Sequence, residues 1–284
     1  RCFLERCRGN QVMSTGLNQR RENEREANDV GRLRVPVVYT AIKNDGEDEL
    51  SRPLDSLWWS GIAAGLAIFL SVVGMGTLYR YLGGTGPAGQ AITYLGYTIG
   101  FVVVIMGRLQ LFTENTITAV VPLLAHWKKR TLYAMLRLWA VVFVANMVGV
   151  FIAAFVTVST DIFPDDTAKG MIEVSRHYIH RDAWAFFLQG IPAGFLVAAI
   201  VWMMPSAKDG NEFWVIILLT YLIAAGGFTH VIAGSGEVFI MLLLGEMSLF
   251  DAVFVSILPT LAGNVIGGTA LFTVLAHGQV HKEI

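Results

Sequence analysis

From Trp58 onward the chain alternates long apolar runs with short polar links, whereas residues 1–57 are polar and rich in Arg. A bilayer-crossing helix needs about 20 predominantly apolar residues. Runs of that length predict six membrane segments, over residues 58–79, 91–122, 131–158, 183–204, 213–245 and 252–276. The second and fifth are longer than one straight helix needs. Polar breaks interrupt them at Arg108-Leu-Gln-Leu-Phe-Thr-Glu-Asn115 and at Gly226-Gly-Phe-Thr-His230. Irregular backbone at membrane depth needs protein or a water-lined cavity to satisfy its N–H and C=O groups. Interrupted spans at matching places in two halves therefore point to a transport site.

The halves do match. Ala145-Asn-Met-Val-Gly149 in the third segment recurs as Gly263-Asn-Val-Ile-Gly267 in the sixth, 118 positions on (264 − 146). Phe112-Thr113 recurs as Phe228-Thr229, 116 positions on (228 − 112). Three helices per repeat is an odd number, so the two halves must have inverted topology; the alternative is chance similarity between Gly-rich membrane helices. Small residues four apart (Gly61/Gly65, Gly96/Gly100, Gly190/Gly194, Gly263/Gly267) suit close helix packing, including packing between copies of the chain.

Composition agrees with a membrane protein: 54% of the 284 residues are hydrophobic and 15% charged, against about 25% charged in soluble domains. Mean hydropathy is +0.56. The net charge of −1 says little, but the distribution of Lys and Arg says more. With residues 1–57 inside, fifteen basic residues fall on the inner side and four (Arg80, Lys169, Arg176, Arg181) on the outer side. That bias predicts an inner-membrane protein with both termini cytoplasmic. The expected division is a partly disordered cytoplasmic segment 1–57, a membrane domain 58–277 and a short tail 278–284. Residues 35–54 can form a helix on the inner surface, although Asp45, Glu47, Asp48 and Glu49 oppose strong lipid binding. Cys2 and Cys7 lie in the polar head, so the membrane part has no disulfide framework. The head lacks the apolar stretch of a signal peptide, and Met13 is a candidate start. No Gly-x-x-x-x-Gly-Lys motif for ATP occurs, and no metal cluster or paired carboxylates sit in the breaks. Cofactors, nucleic-acid partners and enzymatic activity are not expected.

The chemistry concentrates in the breaks. His230 follows a Gly-Gly pair inside an apolar segment; it is either a hydrogen-bonded packing residue or a functional group in the membrane. Thr113 and Glu114 open the half-helix 114–122, whose first N–H groups and positive dipole end attract anions; for Thr113 a plain capping role is the alternative. Arg108 and Glu114 should pair, or Arg108 should sit at a water-filled mouth. Arg137 should snorkel at the cytoplasmic end. Asn146 and Asn264 either tie the broken loops' carbonyls, the favoured role, or touch the substrate.

Leu111-Phe112-Thr113, Phe228-Thr229-His230 and Gly263-Asn264-x-x-Gly267-Gly268 together resemble the formate/nitrite transporter family over about residues 35–277. The string from Arg108 to Thr116 is most similar to its YfdC-type branch. The resemblance implies an all-α, aquaporin-like fold of six helices with inverted three-helix repeats and broken second and fifth helices. It also implies assembly as a homopentamer in lipid, with one pore per protomer. On this likeness His230 is the central pore histidine, and Leu111, Phe112 and Val197 form the periplasmic constriction. Phe101 forms the cytoplasmic constriction, and Thr113 sits in the gating slit. The implied function is a channel or transporter for a small monovalent anion or its weak acid, fed by a basic vestibule. A neutral-solute channel and a transport-inactive sensor on the same scaffold are the alternatives. Three departures stand out. Thr229 replaces a carboxylate beside His230, Gly234 and Gly194 replace two amides, and the vestibule lysine falls near Tyr178, with His177, His180 and Arg181 as nearby cations.

Overall fold

The structure, a computed structural model, describes residues 33–82, 86–207 and 210–283. The head up to residue 32, with Cys2, Cys7 and Met13, lies outside the described residues, as does Lys208. Helix α1 (Val35–Ser51) leads into α2 (Leu54–Leu82) and α3 (Pro87–Met106). After the first break come the short α4 (Asn115–Ala125) and the long α5 (Lys129–Ser159). An amphipathic α6 (Asp165–Ile179) precedes α7 (Ala183–Ser206), and α8 (Asn211–Ala225) and α9 (Val231–Leu243) flank the second break. Helix α10 (Asp251–Val280) ends the chain. No strand occurs among the described residues. Five helices are long and apolar enough to cross a membrane, and the three shorter apolar ones are the half-helices around the breaks. This is the expected six-segment architecture, with the second and fifth segments broken.

One tight helix crossing holds each half together, α2 on α5 in the first and α7 on α10 in the second. A Cβ on Gly65 would lie 2.3 Å from the Asn146 carbonyl oxygen, and one on Gly194 would lie 2.1 Å from that of Asn264. Backbone meets backbone because lipid gives no hydrophobic drive and close contact must supply the attraction. Gly96 and Gly100 are likewise spent on Gly74 and Ile68. The small-residue pairs pack helix on helix within one chain, the close packing expected of them. The surface left for lipid or neighbours is large and apolar, with Trp59, Trp127, Trp184 and Trp214 exposed near helix ends, the depth that suits amphipathic indole rings.

The structure also revises the repeat register. Arg108 and Gly227 occupy the same left-handed position, φ 51° and 67°. Their neighbours make matching turns: Leu109 N–H bonds the Val104 carbonyl, and Phe228 N–H bonds that of Ile223. The offset is 119 (227 − 108), so Phe228-Thr229 corresponds to Leu109-Gln110. The recurrence of Phe112-Thr113 at an offset of 116 is coincidental. The backbone bends, not the identity of the side chains, are what the halves share. Gly suits the left-handed region at no cost; Arg108 holds it at the mouth of a cavity.

Both ends of the described chain lie on one face. Val38, Tyr39 and Ile42 of α1 are buried beside Ile117, Val121, Ala198 and Val280, and the Tyr39 hydroxyl meets His277 Nδ1 at 2.7 Å. The helix expected at the surface thus packs one face on protein. Arg137 is engaged on protein. Its Nη2 donates to the Leu50 carbonyl at 2.9 Å, capping the last turn of α1, where orphan carbonyls attract a cation.

Candidate functional site

Each break is held by one amide. Asn146 Nδ2 donates to the carbonyls of Gly61 and Gln110, both at 2.8 Å, and its Oδ1 accepts from Phe112 N–H at 2.9 Å. Asn264 repeats the pattern, donating to Gly190 and Thr229 carbonyls at 2.8 and 2.9 Å and accepting from Val231 N–H at 2.8 Å. Both side chains are fully buried. Their amides satisfy backbone groups that neither helix nor water reaches. The loop-tying role, the favoured one of the two expected, is what the geometry gives; every hydrogen-bonding atom of each amide is engaged.

The two breaks meet. Thr113 Oγ1 lies 2.7 Å from His230 Nε2, with both residues fully buried. His230 is the N-cap of α9, and its Nδ1 accepts from Ala233 N–H at 3.1 Å. A nitrogen that accepts carries no proton, so in this geometry the ring is the neutral Nε2–H tautomer. Its Nε2–H donates to the Thr113 oxygen, which leaves the Thr113 hydrogen free to serve another acceptor. The Phe101 ring stands edge-on to the imidazole, centroids 5.0 Å apart. First-turn N–H groups of Thr113 and Ile232, again 119 apart, find no acceptor among the described residues.

The other expected site residues are more dispersed. Phe112 turns its ring to Trp139 and Phe143, at 5.8 and 5.3 Å. Thr229 is tied to α7: its hydroxyl donates to the Phe186 carbonyl at 2.8 Å and its N–H to that of Gln189. Val197 is buried three residues past Gly194 on α7. Arg108 and Glu114 form no ion pair among the described residues. Arg108 is exposed at a mouth, the second of the two arrangements expected, while Glu114 Oε1 is buried without a partner.

Two cavities approach the contact from opposite faces. On the face carrying the termini, a cavity of about 530 Å³ is lined by Asp45, Asp48, Glu49, Arg108, Leu111 and Glu114, among others. It is acidic; the expected vestibule cations His177 and His180 line the other cavity. Leu111 belongs to the acidic mouth. Phe101 lies the other way, stacked on Tyr97 at 5.2 Å, and Tyr94 just before it lines the opposite cavity of about 560 Å³ with Glu173, Arg176, His177 and His180. Leu111 thus lies toward the face that carries the termini and Phe101 toward the opposite one. On the far rim Arg176 clamps Glu246 through two hydrogen bonds of 2.8 and 2.6 Å, which holds that carboxyl below its usual range.

A family model described as formate/nitrite transporter matches residues 36–278. The chain belongs to this family. It is 38% identical over 251 residues to the inner membrane protein YfdC of Escherichia coli (strain K12), covering 88% of this chain and 80% of that one. It is 26% identical to the formate channel FocA of Haemophilus influenzae, covering 74% and 81%. Among solved structures, an FNT family ion channel superposes with a TM-score of 0.71 at 19% identity, covering 87% of this chain and 98% of that one. A pentameric formate channel with formate bound gives 0.66 at 20%, covering 81% and 98%. At these identities the structures establish the fold.

Within this family member, two departures compensate each other. Tyr178 drops its phenol onto Gly234, where a Cβ would lie only 2.0 Å from the hydroxyl oxygen. The side chain near the vestibule-lysine position therefore fills the space of the missing amide; burial pushes its ionisation well above the usual range, so it stays a neutral phenol. Sequence reasoning marked Tyr178 only as the position near the vestibule lysine and passed over Tyr97 and Glu237. The signal for Glu237 was present: a lone acid inside an apolar half-helix, seven residues after His230.

Replacing Asn264 by Ala leaves a buried N–H and two buried carbonyls without partners. At about 1 kcal/mol each, the loss should be about 2–4 kcal/mol, read as a lower unfolding temperature in detergent. Asn146→Ala should behave alike. Unchanged melting of both would remove the amides as what holds the breaks.

Proposed function

We propose that this chain forms a membrane pore through which a small monovalent anion of the formate or nitrite kind crosses as its neutral acid. The observation that carries this is the Thr113–His230 contact of 2.7 Å, which joins the two breaks at a buried point between the two cavities. Membership of the formate/nitrite transporter family supports a transport role and not an enzymatic one. The names of its relatives support the substrate class.

A bare anion stripped of water costs tens of kcal/mol by Born estimates, so it is neutralised instead. Both mouths fit this route. The terminal-side cavity is lined by Asp45, Asp48, Glu49 and Glu114 with Arg108, and Arg52 pairs with Glu49; the remaining excess of acids disfavours anions and favours neutral species. At the contact, the free Thr113 hydrogen and the Thr113 and Ile232 N–H groups are donors for the acid's oxygens, and the proton comes from water or from a protonated His230. The route past Phe101, Thr113 and Leu111, with Phe112 and Val197 behind them, is our reading of the pore. The same acidic mouth also favours a second reading, a neutral-solute channel, whose flux would not change with pH.

His230→Asn should keep the fold, since Asn is an equally good N-cap but cannot titrate. In proteoliposomes with formate, nitrite and acetate, between about pH 5 and 8 where an unperturbed His titrates, the variant should lose its acid-stimulated component or begin to pass anion current. Identical flux and selectivity at every pH would reduce His230 to a cap.

We infer a homopentamer in the inner membrane of a bacterial cell, supported by the assembly named for the pentameric formate channel of like fold and by the broad apolar exterior. Native mass spectrometry in mild detergent should count five copies; a stable monomer or trimer across several detergents would refute this.

The fifteen-to-four bias supports cytoplasmic termini, with residues 1–57 and 278–284 on that side of the membrane domain. A reporter fused after Ile284 should work only as a cytoplasmic reporter, and activity of a periplasmic one would invert the pore.

A further inference from the structure

Helix α9 carries a second titratable group. Glu237 is 3% exposed, seven residues from His230, and seven residues of α-helix return to within about 20° of the same direction. His230, Gly234 and Glu237 thus form one stripe. The middle of that stripe is where the Tyr178 hydroxyl sits on Gly234. The repeat says what the stripe faces. With the 119 offset its counterparts are Leu111, Asn115 and Thr118, and all three line the terminal-side cavity. In an inverted repeat, the stripe of α9 accordingly faces the approach from the opposite side.

The titratable and charged neighbours of Glu237 can be named element by element. Within electrostatic reach are Arg181 after α6, Tyr178 on α6 and Tyr97 on α3. Arg181 is the one cation of this group, and it is engaged already: its Nε donates to Gln189 Oε1 at 2.7 Å, it also bonds the Tyr178 carbonyl, and its guanidinium lies over the Tyr178 ring. From Leu138 to Ser159, α5 brings no titratable group. The nearby part of α2 packs Phe69 and Val72 on Gly236, with Tyr79 and Arg80 beyond, Arg80 paired to Asp166. On α10, Asp251 is bonded to Ser248. On α6, Glu173, Arg176 and His177 stand at the outer cavity. Tyr97 in turn stacks on Phe101, and Phe101 meets His230. The rings of Tyr97 and Phe101 therefore lead from the neighbourhood of Glu237 to the central contact.

We propose that Glu237 is an electrostatic gate on the approach opposite the termini: ionised it bars a monovalent anion, and protonated it admits the permeant and hydrogen-bonds to it. The gate replaces the carboxylate that Thr229 no longer supplies beside His230, moved two turns outward. The proposal rests on the weak-acid reading given above. The step is a reversible proton exchange, Glu237 taking its proton from water on that side and returning it as the anion leaves.

The test is formate uptake by the assembled protein in proteoliposomes, wild type against Glu237→Gln, with external pH stepped from 5 to 8. Gln mimics the protonated acid. The flux ratio of variant to wild type should be near one at pH 5 and rise on the order of tenfold by pH 8, the effect of removing a unit charge at roughly 10 Å in an effective dielectric of about 20. Glu237→Asp, which still titrates, should show no such rise. If Glu237→Gln fails to assemble, Glu237→Met serves with the same expectation. A ratio that is constant with pH, whatever its value, would overturn the gate and leave the weak-acid reading intact. A wild type that moves no formate, nitrite or acetate at any pH would overturn both.

Discussion

A helix that breaks inside a membrane leaves donors and acceptors that lipid cannot satisfy, and everything distinctive here follows from how two breaks are paid for. Asn146 and Asn264 each supply two donors and one acceptor to a loop and to the helix behind it. Because each amide also bonds Gly61 or Gly190 across a helix crossing, the loop can be held only where the crossing is tight. That requirement explains the glycines at those crossings. Loop geometry, helix packing and the position of the central contact are one coupled arrangement.

The two halves share this scaffold and differ in what they hang on it. At equivalent positions stand Arg108 and Gly227, Leu111 and His230, Asn115 and Gly234, Thr118 and Glu237. Inverted halves put equivalent groups on opposite faces, so the two cavities are unlike: acidic on the side of the termini, and mixed, with arginine and histidine, on the other. The single histidine lies at the junction, where its ring caps one half-helix and reaches the threonine of the other. A charge change on that ring would act on both halves at once, through the cap and through the threonine.

Losses relative to the family pattern are absorbed locally. Gly234 gives up an amide, and Tyr178 enters the space; Thr229 gives up a carboxylate, and its hydroxyl ties the break to α7 instead. The scaffold tolerates such exchanges because the amides of Asn146 and Asn264 already satisfy the backbone.

The sequence by itself determined the number of spans, the location of both breaks and the inverted symmetry, because each is written in local quantities: the length of an apolar run, an interruption, a repeated Asn-x-x-Gly. It also singled out His230 and Thr113, since a polar residue in a membrane break is costly enough to demand a reason. Only the tertiary structure decided the register of the repeat, since a φ angle shared by Arg108 and Gly227 leaves no common letter. It alone turned Arg137 into a cap for α1, spent the small-residue pairs inside the protomer, set Leu111 at the terminal-side cavity and brought Tyr178 onto Gly234. These are relations between residues up to about a hundred positions apart, fixed by close packing and by the pairing of buried polar groups, and no window along the chain contains both partners.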